Sequence, residues 1–276
     1  MFANDIMISL RNLRTNMKMT QDSFAKQLNV SRQAVSKWEN GQSYPDISML
    51  PKIAALFDIS IDELLNYKSE NLRHTKYEEL YKCDGLYWGS KIRSVAKEVL
   101  NLMPPVRQIN ILEAGCGEGQ AAVFFARNGY HVDAFDIAES GLAKGRSIAK
   151  SIGVNVNFFR ANLLTFEINR NYDVIYSSGV LQYVPPPERD RIMRQIQSRT
   201  NVGGLNVLDA FVDKSFIDVA PDWEHDKEFF WQSGELFSYY GADWKCELLR
   251  ETYFNCKIGG TPHQHCMDTV IARKIV

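Results

Sequence analysis

The chain has 276 residues, which suits one or two domains, and its 45% hydrophobic and 24% charged residues are typical of a globular protein. The formal net charge of −1 excludes a global electrostatic attraction to nucleic acid or to membranes. The apolar runs are far shorter than the ~20 residues of a membrane-spanning helix. The first residues lack the basic and apolar segments of a signal peptide. We therefore expect a cytoplasmic protein that has no membrane partner.

The cysteines do not form a disulfide framework. They are odd in number, include no C-x-x-C pair and do not have the spacing of a zinc site. We expect free thiols and no metal centre; the five residues are Cys83, Cys116, Cys246, Cys256 and Cys266.

Residues 1–68 are helical in pattern. After a first helix that carries Leu10 and Leu13, Thr20 is a suitable N-cap for a helix over 21–28. Ser31 is a suitable N-cap for a helix over 32–40, which Gly41 ends. Two further helices are predicted over 47–57 and 61–65. The expected core residues are Ala25, Leu28, Val30, Val35, Trp38, Leu50, Ile53, Leu56 and Leu64.

Two short helices joined by a tight turn at Asn29 and Val30 are typical of a helix-turn-helix. The sequence from Thr20 to Gly41 closely resembles the Cro/C1-type repressor domain, and the resemblance covers nearly all of residues 5–66. It implies binding to a double-stranded DNA operator, with polar side chains of the second helix reaching base edges in the major groove. The expected DNA contacts are Gln21, Ser31, Arg32, Gln33, Ser36, Lys37 and Asn40.

The charge of this segment supports DNA binding only modestly. Residues 1–40 carry six basic and three acidic residues, a balance of +3. We therefore expect a homodimer that binds across two half-sites. The alternative is a small helical bundle used only for protein contacts.

Residues 69–76 are polar and aperiodic, which predicts a linker before a second domain over 77–276. In that domain, segments with strand and helix patterns alternate, which indicates a mostly parallel sheet with helices on both faces. The predicted fold class is a small all-α domain followed by an α/β Rossmann-like domain. Strands are expected over 109–113, 132–136, 156–160, 172–177, 204–211, 244–252 and 267–273, and helices over 92–103, 120–128, 141–152 and 188–200.

The most informative stretch of the second domain is I-L-E-A-G-C-G-E-G at 111–119. An apolar run ends in Glu113, and three glycines follow at alternate positions, where they admit positive φ and let a ligand approach the backbone. The next strand-like run ends in Asp136. A glycine loop after one strand and an acid after the next place a nucleoside at the carboxyl edge of a parallel sheet. The spacing G-x-G-x-G differs from the dinucleotide-binding G-x-G-x-x-G.

This pattern resembles motif I of class I S-adenosylmethionine (SAM) methyltransferases. The chain from about residue 80 to 276 resembles the tellurite-resistance type and the small-molecule thiol methyltransferases near it, through segments at 129–136, 172–175, 203–204, 234–240 and 270–274. The resemblance implies a seven-stranded sheet with an antiparallel last strand and SAM as cofactor. It also implies a small acceptor that is a soft nucleophile, such as a thiol, selenite or tellurite.

The resemblance also assigns the cofactor contacts. Glu113 and the three glycines would line the methionine and ribose side, and Asp136 would accept the ribose hydroxyls. Asn162 stands where the family usually has an acid that accepts from the adenine amino group, and Trp88 either closes over the cofactor or packs on the sheet. Cys116 is expected to be a small buried thiol and not a nucleophile. The full expected set is Trp88, Glu113, Gly115, Cys116, Gly117, Gly119, Asp136, Ile137, Asn162, Leu163, Ser178 and Gly179.

The end of the fourth strand excludes some acceptors. It reads Ser177-Ser178-Gly179-Val180, whereas enzymes that methylate amino groups of DNA carry D/N-P-P-Y/F there. None of the nine prolines precedes a cysteine, as the cytosine-C5 enzymes require. Residues 77–276 have no basic excess that would suit RNA. These features favour a small-molecule acceptor.

Two histidines near the end of the chain are candidate catalytic residues. His263 and His265 would point to one face of an extended segment, just before the last strand. They could serve as a base, an anion binder or a metal pair, or be ordinary turn histidines. A metal would need a third ligand, for which His225 and Cys266 are candidates. The acidic and aromatic run at 222–226 is either part of the substrate mouth or a solvated loop.

Two functions remain open at this point. The first is a methyltransferase that acts on a small molecule and carries a DNA-binding domain, with possible control of its own operon. The second is a transcriptional regulator whose methyltransferase-like domain senses SAM or a metabolite without turnover.

Overall fold

The computed structural model of the chain describes residues 10–57, 59, 61–64, 75–218, 229–257 and 261–276. The chain divides into two compact units, Met1–Arg73 and His74–Val276. Residues 69–74 of the predicted linker, the run at 222–226 and His225 within it lie outside the described residues. Among the helices that the structure describes, none is both long and apolar enough to cross a membrane.

The N-terminal unit consists of short helices, as predicted. Thr20 Oγ1 accepts from the backbone N–H of Ser23 at 3.1 Å, and Ser31 Oγ accepts from Ala34 N at 3.1 Å, so both predicted N-caps are confirmed. Asn29 has φ +57° and makes the tight turn between the two helices. The described helices are α1 (residues 10–16), α2 (Gln21–Leu28), α3 (Arg32–Glu39), α4 (Leu50–Phe57) and α5 (Ile61–Leu64), with a 3-10 turn at Ile47–Met49.

One buried cluster holds these helices together. It contains the predicted Val35, Trp38 and Ile53, with Val30, Leu50 and Leu56 packed at its edge. Sequence reasoning missed Phe24, which is fully buried and meets the Phe57 ring at 5.3 Å. Phe24 stands next to Ala25 and four residues before Leu28, a helical spacing that was a usable signal for its burial.

A buried ion pair fixes α1, α2 and α3 against one another. Glu39 accepts from Arg14 Nε and Nη2 at 2.6 and 3.0 Å and from Gln21 Nε2 at 2.9 Å. Burial alone would raise the pKa of Glu39, but the bonds from Arg14 and Gln21 outweigh it and hold that pKa below its usual value. The carboxylate therefore stays charged at neutral pH and orders three helix ends at once.

The larger unit is built on one seven-stranded sheet with the order β3-β2-β1-β4-β5-β7-β6. The first five strands are parallel, and β7 runs antiparallel between β5 and β6, as the resemblance implied. The strands are β1 (Asn110–Ala114), β2 (His131–Asp136), β3 (Asn157–Arg160), β4 (Tyr172–Ser177), β5 (Thr200–Phe211), β6 (Trp244–Cys256) and β7 (His263–Lys274).

The helices cover both faces of this sheet. Ile111 and Leu112 belong to two different hydrophobic clusters, because successive strand residues point to opposite faces. The first cluster includes Val95 and Phe125, and the second includes Ile192. The helices of this unit are α6 (Lys76–Leu80), α7 (Ser94–Leu102), α8 (Gln120–Arg127), α9 (Glu139–Ser151) and α10 (Pro186–Ser198), with 3-10 turns at Leu181–Tyr183 and Leu236–Tyr239.

Several predicted boundaries were wrong. The predicted linker ends inside α6, which begins at Lys76, and sequence reasoning did not find this helix. α10 begins at Pro186 and not at 188, since a proline in the first turn has no N–H to lose and its φ suits a helix. β6 continues to Cys256, and β7 begins at His263. The two histidines therefore lie inside the last strand and not before it.

Candidate cofactor site

The glycine loop after β1 closes tightly between two neighbouring segments. Gly115, Gly117 and Gly119 have φ of +73°, +54° and +80°, conformations that favour glycine. A Cβ on Gly115 would lie 2.3 Å from Val180 Cγ2, and one on Gly117 would lie 2.9 Å from the Tyr81 hydroxyl. The loop therefore needs glycine for its backbone shape and for its close neighbours.

Asp136, at the end of β2, holds this loop in place. Its carboxylate accepts from Gly117 N at 2.8 Å and from Ala138 N at 2.9 Å. Burial raises the pKa of Asp136, although these backbone N–H groups oppose the change. Each carboxylate oxygen has a second lone pair, so the side chain that shapes the loop can also accept a ligand hydroxyl.

Glu113, at the end of β1, is the incomplete part of this arrangement. Its side chain is buried, and its Oε2 has no hydrogen-bond partner among the residues that the structure describes. Burial, reinforced by the nearby Asp136, raises the pKa of Glu113 to about 8. A buried carboxyl oxygen without a donor is costly. A cationic or hydrogen-bond-donating ligand group would satisfy it.

Glu118, which sequence reasoning missed, joins the loop to the chain that precedes α7. It is completely buried and accepts from the backbone N–H groups of Tyr87 and Trp88 at 3.1 and 3.3 Å. Lys144 Nζ, from α9, donates to it at 2.9 Å and forms its ion pair. An acid inside a glycine loop was a visible signal, but these three partners are 26 to 31 residues away along the chain.

Aromatic side chains cover the loop; we call Tyr77, Tyr81, Tyr87, Trp88 and Tyr183 the aromatic cover. Trp88 Nε1 donates to the Tyr81 hydroxyl at 2.9 Å, and the hydroxyls of Tyr77 and Tyr183 are 2.6 Å apart. Burial, and the nearby Asp136 carboxylate, raise the pKa of Tyr81 well above its usual value. Trp88 lies beside the loop, since a Cβ on Gly117 would lie 2.9 Å from the Tyr81 hydroxyl and 3.9 Å from Trp88 Cδ1. Its contact with the cofactor stays a prediction.

The segment after β4 is fixed by another buried acid, Asp209 of β5. Asp209 accepts from Ser178 Oγ at 2.7 Å and from Gly179 N at 2.6 Å, and it pairs with Arg93 at 3.0 Å. These bonds keep the segment where Val180 can close on Gly115. Ser178 and Gly179 were predicted from the sequence. Asp209 was missed, because a strand acid becomes informative only when its neighbouring strand is known.

The remaining predicted contacts surround the same edge of the sheet. The backbone of Ile137 accepts from Arg160 Nε at 2.9 Å, and Ala161 N donates to the Asp136 backbone at 3.0 Å, which brings the segments after β2 and β3 together. Asn162 Oδ1 accepts from Leu164 N at 2.9 Å, so a local turn already uses the oxygen that was expected to face adenine. Leu163 lies in the same turn, packed against the second cluster.

Cys116 is a buried thiol inside the loop, as expected. Burial, followed by the negative charges of Asp136 and Glu113, raises the pKa of this thiol well above its usual value. It therefore stays protonated, and a protonated thiol is a poor nucleophile. None of the five cysteines, all of which the structure describes, is part of a disulfide.

The structure brings His263 and His265 together, with 2.9 Å between their Nε2 atoms. Met267 pairs with Phe211, the last residue of β5, so both histidines lie beyond the end of that strand. In the sheet order, β4 and β5 separate β7 from β1, which carries the glycine loop. Their catalytic role stays a prediction, and the His265 ring packs against Phe211 of β5 and Phe254 of β6.

Three of the predicted DNA-binding side chains lie on the outer face of α3. Arg32, Gln33 and Lys37 are exposed, whereas Val35 and Trp38 on the opposite face are buried. The other predicted contacts have partners within the unit. The Ser31 hydroxyl caps α3, Gln21 is bonded to Glu39, and Asn40 Nδ2 is 3.4 Å from Ser36 Oγ.

Two family models match the chain. The model described as "Tellurite resistance protein TehB" matches residues 74–261, and the model described as "Helix-turn-helix" matches residues 10–64. The first match covers more than half of the 276 residues and the second covers the helical N-terminal unit.

Three relatives agree with these matches. The "HTH-type transcriptional activator BcrR" of Enterococcus faecalis is 49% identical over 57 residues, 21% of this chain and 28% of that one. A "Carboxy-S-adenosyl-L-methionine synthase" of Campylobacter jejuni is 26% identical over 140 residues, 47% of this chain and 59% of that one. The "Probable S-adenosyl-L-methionine-dependent methyltransferase TehB" of Haemophilus influenzae is 24% identical over 148 residues, 54% of this chain and 50% of that one.

The chain thus spans between about a quarter and three fifths of the length of these relatives. A crystal structure of TehB from Haemophilus influenzae superposes with a TM-score of 0.60 at 22% identity, covering 68% of this chain and 64% of that one. At this identity the similarity shows the fold: the larger unit has the class I methyltransferase architecture.

The close approach of Val180 to the glycine loop can be tested with Gly115→Ala. Gly153→Ala is a matched control, because Gly153 also has positive φ, +74°, but nothing lies within 4 Å of an added Cβ. Both variants incur a backbone cost of about 1 kcal/mol. Gly115→Ala should lose roughly 1–3 kcal/mol more in the free energy of unfolding of the larger unit, measured with urea, because Val180 must move. Equal losses would contradict the tight contact.

Proposed function

Because the chain belongs to the tellurite resistance protein TehB family, we propose that its larger unit binds SAM and transfers the methyl group to a small, soft nucleophile such as a thiol, selenite or tellurite. The N-terminal unit, we propose, directs the protein to a DNA operator. The observation that carries the first proposal is the buried Glu113 Oε2, which has no donor among the described residues and lies in the strand that leads into the glycine loop.

The residues around the loop fit SAM chemically. Glu113 would accept from the ammonium of the methionine moiety, and Asp136 would accept from ribose hydroxyls with the lone pairs that Gly117 and Ala138 leave open. The aromatic cover supplies ring faces, which attract positively charged groups. When bound, SAM supplies a methyl group on a positively charged sulfur.

The remaining task of the protein is to align the acceptor and exclude water. The acceptor brings its own nucleophile, so alignment of two bound reactants is the main source of rate acceleration. The bonds from Asp209 to Ser178 and Gly179 hold the segment after β4 against the loop. Trp88 and Tyr81 shield the other side. Cys116 stays a protonated thiol and does not compete with the acceptor.

The choice of acceptor and partner is supported by the relatives. The family model carries the description of a tellurite resistance protein, and one relative is described as a SAM-dependent methyltransferase. BcrR, which matches the N-terminal unit, is described as a transcriptional activator. We further propose that the protein is a homodimer, that its DNA-binding domain covers residues 1–68 and is joined by a linker to the methyltransferase domain, and that the protein regulates its own operon.

Turnover distinguishes an enzyme from a sensor. The purified full-length chain, given SAM and a panel of thiols, selenite and tellurite, should release S-adenosylhomocysteine with at least one acceptor, as measured by chromatography. Glu113→Gln should weaken SAM binding and reduce this release. If a broad panel gives no product while SAM binds with micromolar affinity, the protein is a sensor and the proposal of methyl transfer is wrong.

The pH dependence of SAM binding tests the role of Glu113. With its pKa at about 8, this carboxyl is neutral in the ligand-free protein below that pH. An ammonium stabilises the ionised form, so binding releases a proton, and affinity should rise with pH, by at most tenfold per pH unit, up to about 8. Calorimetry near neutral pH in two buffers of different ionisation enthalpy measures the released proton.

Glu113→Gln is the control for this experiment. It keeps the shape of the side chain but has no proton to release, so its binding heat should not depend on the buffer. Loss of the charged hydrogen bond should weaken binding roughly tenfold to hundredfold. Equal proton release in both proteins would assign the titration to another group.

DNA binding is tested with Arg32→Ala combined with Gln33→Ala. An operator selected from random duplexes should bind the wild-type chain, and the double variant should lose on the order of a hundredfold in affinity, because each base contact contributes about 1–3 kcal/mol. Lys52→Ala, which removes an exposed charge from α4, is the control and should bind nearly normally. SAM affinity should not change in either variant; joint loss of both ligands would contradict the two-unit assignment.

A further inference from the structure

Cys256, His263 and His265 meet where β6 and β7 pair. Cys256 is the last residue of β6 and lies directly opposite His263, the first residue of β7. Opposed residues of an antiparallel pair share a face of the sheet, and His265, two residues further along β7, lies on that same face. One ligand atom from each residue lies within 4.8 Å of those of the other two.

The hydrogen bonds of His263 set its tautomer. His263 Nδ1 lies 2.7 Å from the backbone oxygen of Thr261. A carbonyl oxygen only accepts, so this Nδ1 carries the hydrogen, and the Nε2 of the neutral ring carries the lone pair. Histidines that bind metals are oriented in this way, with the second ring nitrogen donating to a carbonyl or carboxylate.

The separation of the two imidazole nitrogens is close to that in a tetrahedral metal centre. With metal–nitrogen bonds of about 2.0–2.1 Å, two imidazole nitrogens of such a centre lie roughly 3.3 Å apart. The two Nε2 atoms here are 2.9 Å apart, which places a shared proton between them in the metal-free protein. If the two Nε2 atoms moved apart by a few tenths of an ångström, a cation could take the place of that proton.

The surroundings favour a fixed site with access from solvent. His265 is 7% exposed and lies between the rings of Phe211 and Phe254, with centroid distances of 4.8 and 5.6 Å. These rings restrict rotation of the imidazole. Cys256 and His263 are only partly buried, so a cation can reach them.

We propose that Cys256, His263 and His265 bind one zinc ion, or a divalent cation of similar ligand preference. One thiolate and two imidazoles form a donor set that suits zinc, and three protein ligands leave a fourth position for water or an added thiolate. Binding requires the thiolate form of Cys256, so the thiol proton passes to solvent. The hydrogen between the histidines moves to Nδ1 of His265, so that both imidazoles bind as neutral ligands through Nε2.

This site is separate from the glycine loop and does not depend on methyl transfer. It departs from the sequence-based expectation of no metal centre, because the third ligand is neither of the two residues considered then. Cys256 precedes the histidines by seven and nine residues, and only the pairing of β6 with β7 brings it to them. A bound cation would cross-link the edge strand of the sheet to its neighbour.

Cobalt, a spectroscopic substitute for zinc, tests the assignment in the full-length chain. The chelator-treated wild type should bind one cobalt ion, with visible d–d bands and a sulfur-to-cobalt band in the near ultraviolet, and zinc should displace it. Cys256→Ser should remove the sulfur band. Cys256→Ser and His263→Gln should weaken zinc binding by more than about a hundredfold, beyond the upper range for loss of an outer-shell partner.

Two matched controls accompany these variants. Cys246→Ser changes an exposed cysteine of β6, and His131→Gln changes an exposed histidine of β2, so neither should alter the spectrum or the affinity. Absence of the sulfur band in the wild type, or its persistence in Cys256→Ser, would overturn the proposal. SAM affinity is measured on the same samples, so that failure of the cofactor proposal is seen separately from failure of the metal proposal.

Discussion

The bond from the Gly117 amide to the partly buried Asp136 carboxylate is the contact on which the rest of the candidate cofactor site depends. The three glycines of the loop have no side chains that could hold its shape, so carboxylates in and around the loop do so. Asp136 fixes the loop from β2, Glu118 attaches the aromatic cover, and Asp209 fixes the segment after β4. Each of these three carboxylates is supplied with donors. Glu113 alone among the four keeps an oxygen without one among the described residues, and this difference is the basis for proposing it as a ligand contact.

Local chemistry made much of this arrangement predictable. N-caps, glycines and the acids that end β1 and β2 act within a few residues, so Thr20, Ser31, Glu113 and Asp136 could be assigned from sequence. The alternation of strands and helices gave the sheet, and the family resemblance gave the antiparallel β7. The confirmed bounds of β4 show how well a fully buried strand can be located.

Other features depend on contacts across long stretches of chain. α6 has five residues and too few turns to show a helical period, and Tyr77 and Tyr81 gain their role only by packing over the loop. Asp209 interacts with Arg93 across 116 positions. The extent of β6 and β7 was missed because hydrogen bonding between the two strands continues past the apolar segment of β7, into a polar region that contains His263 and His265.

The attachment of the aromatic cover has both a thermodynamic and a kinetic consequence. Lys144 donates to Glu118 and to the backbone oxygens of Cys83 and Gly85, so the cover is already ordered in the ligand-free protein. A ligand then binds without the entropic cost of immobilising a loose segment, which favours affinity. The same order slows exchange, because a ligand beneath the cover leaves when this segment opens locally. Both effects would depend on the Lys144–Glu118 ion pair, which attaches the aromatic cover to the glycine loop and to α9.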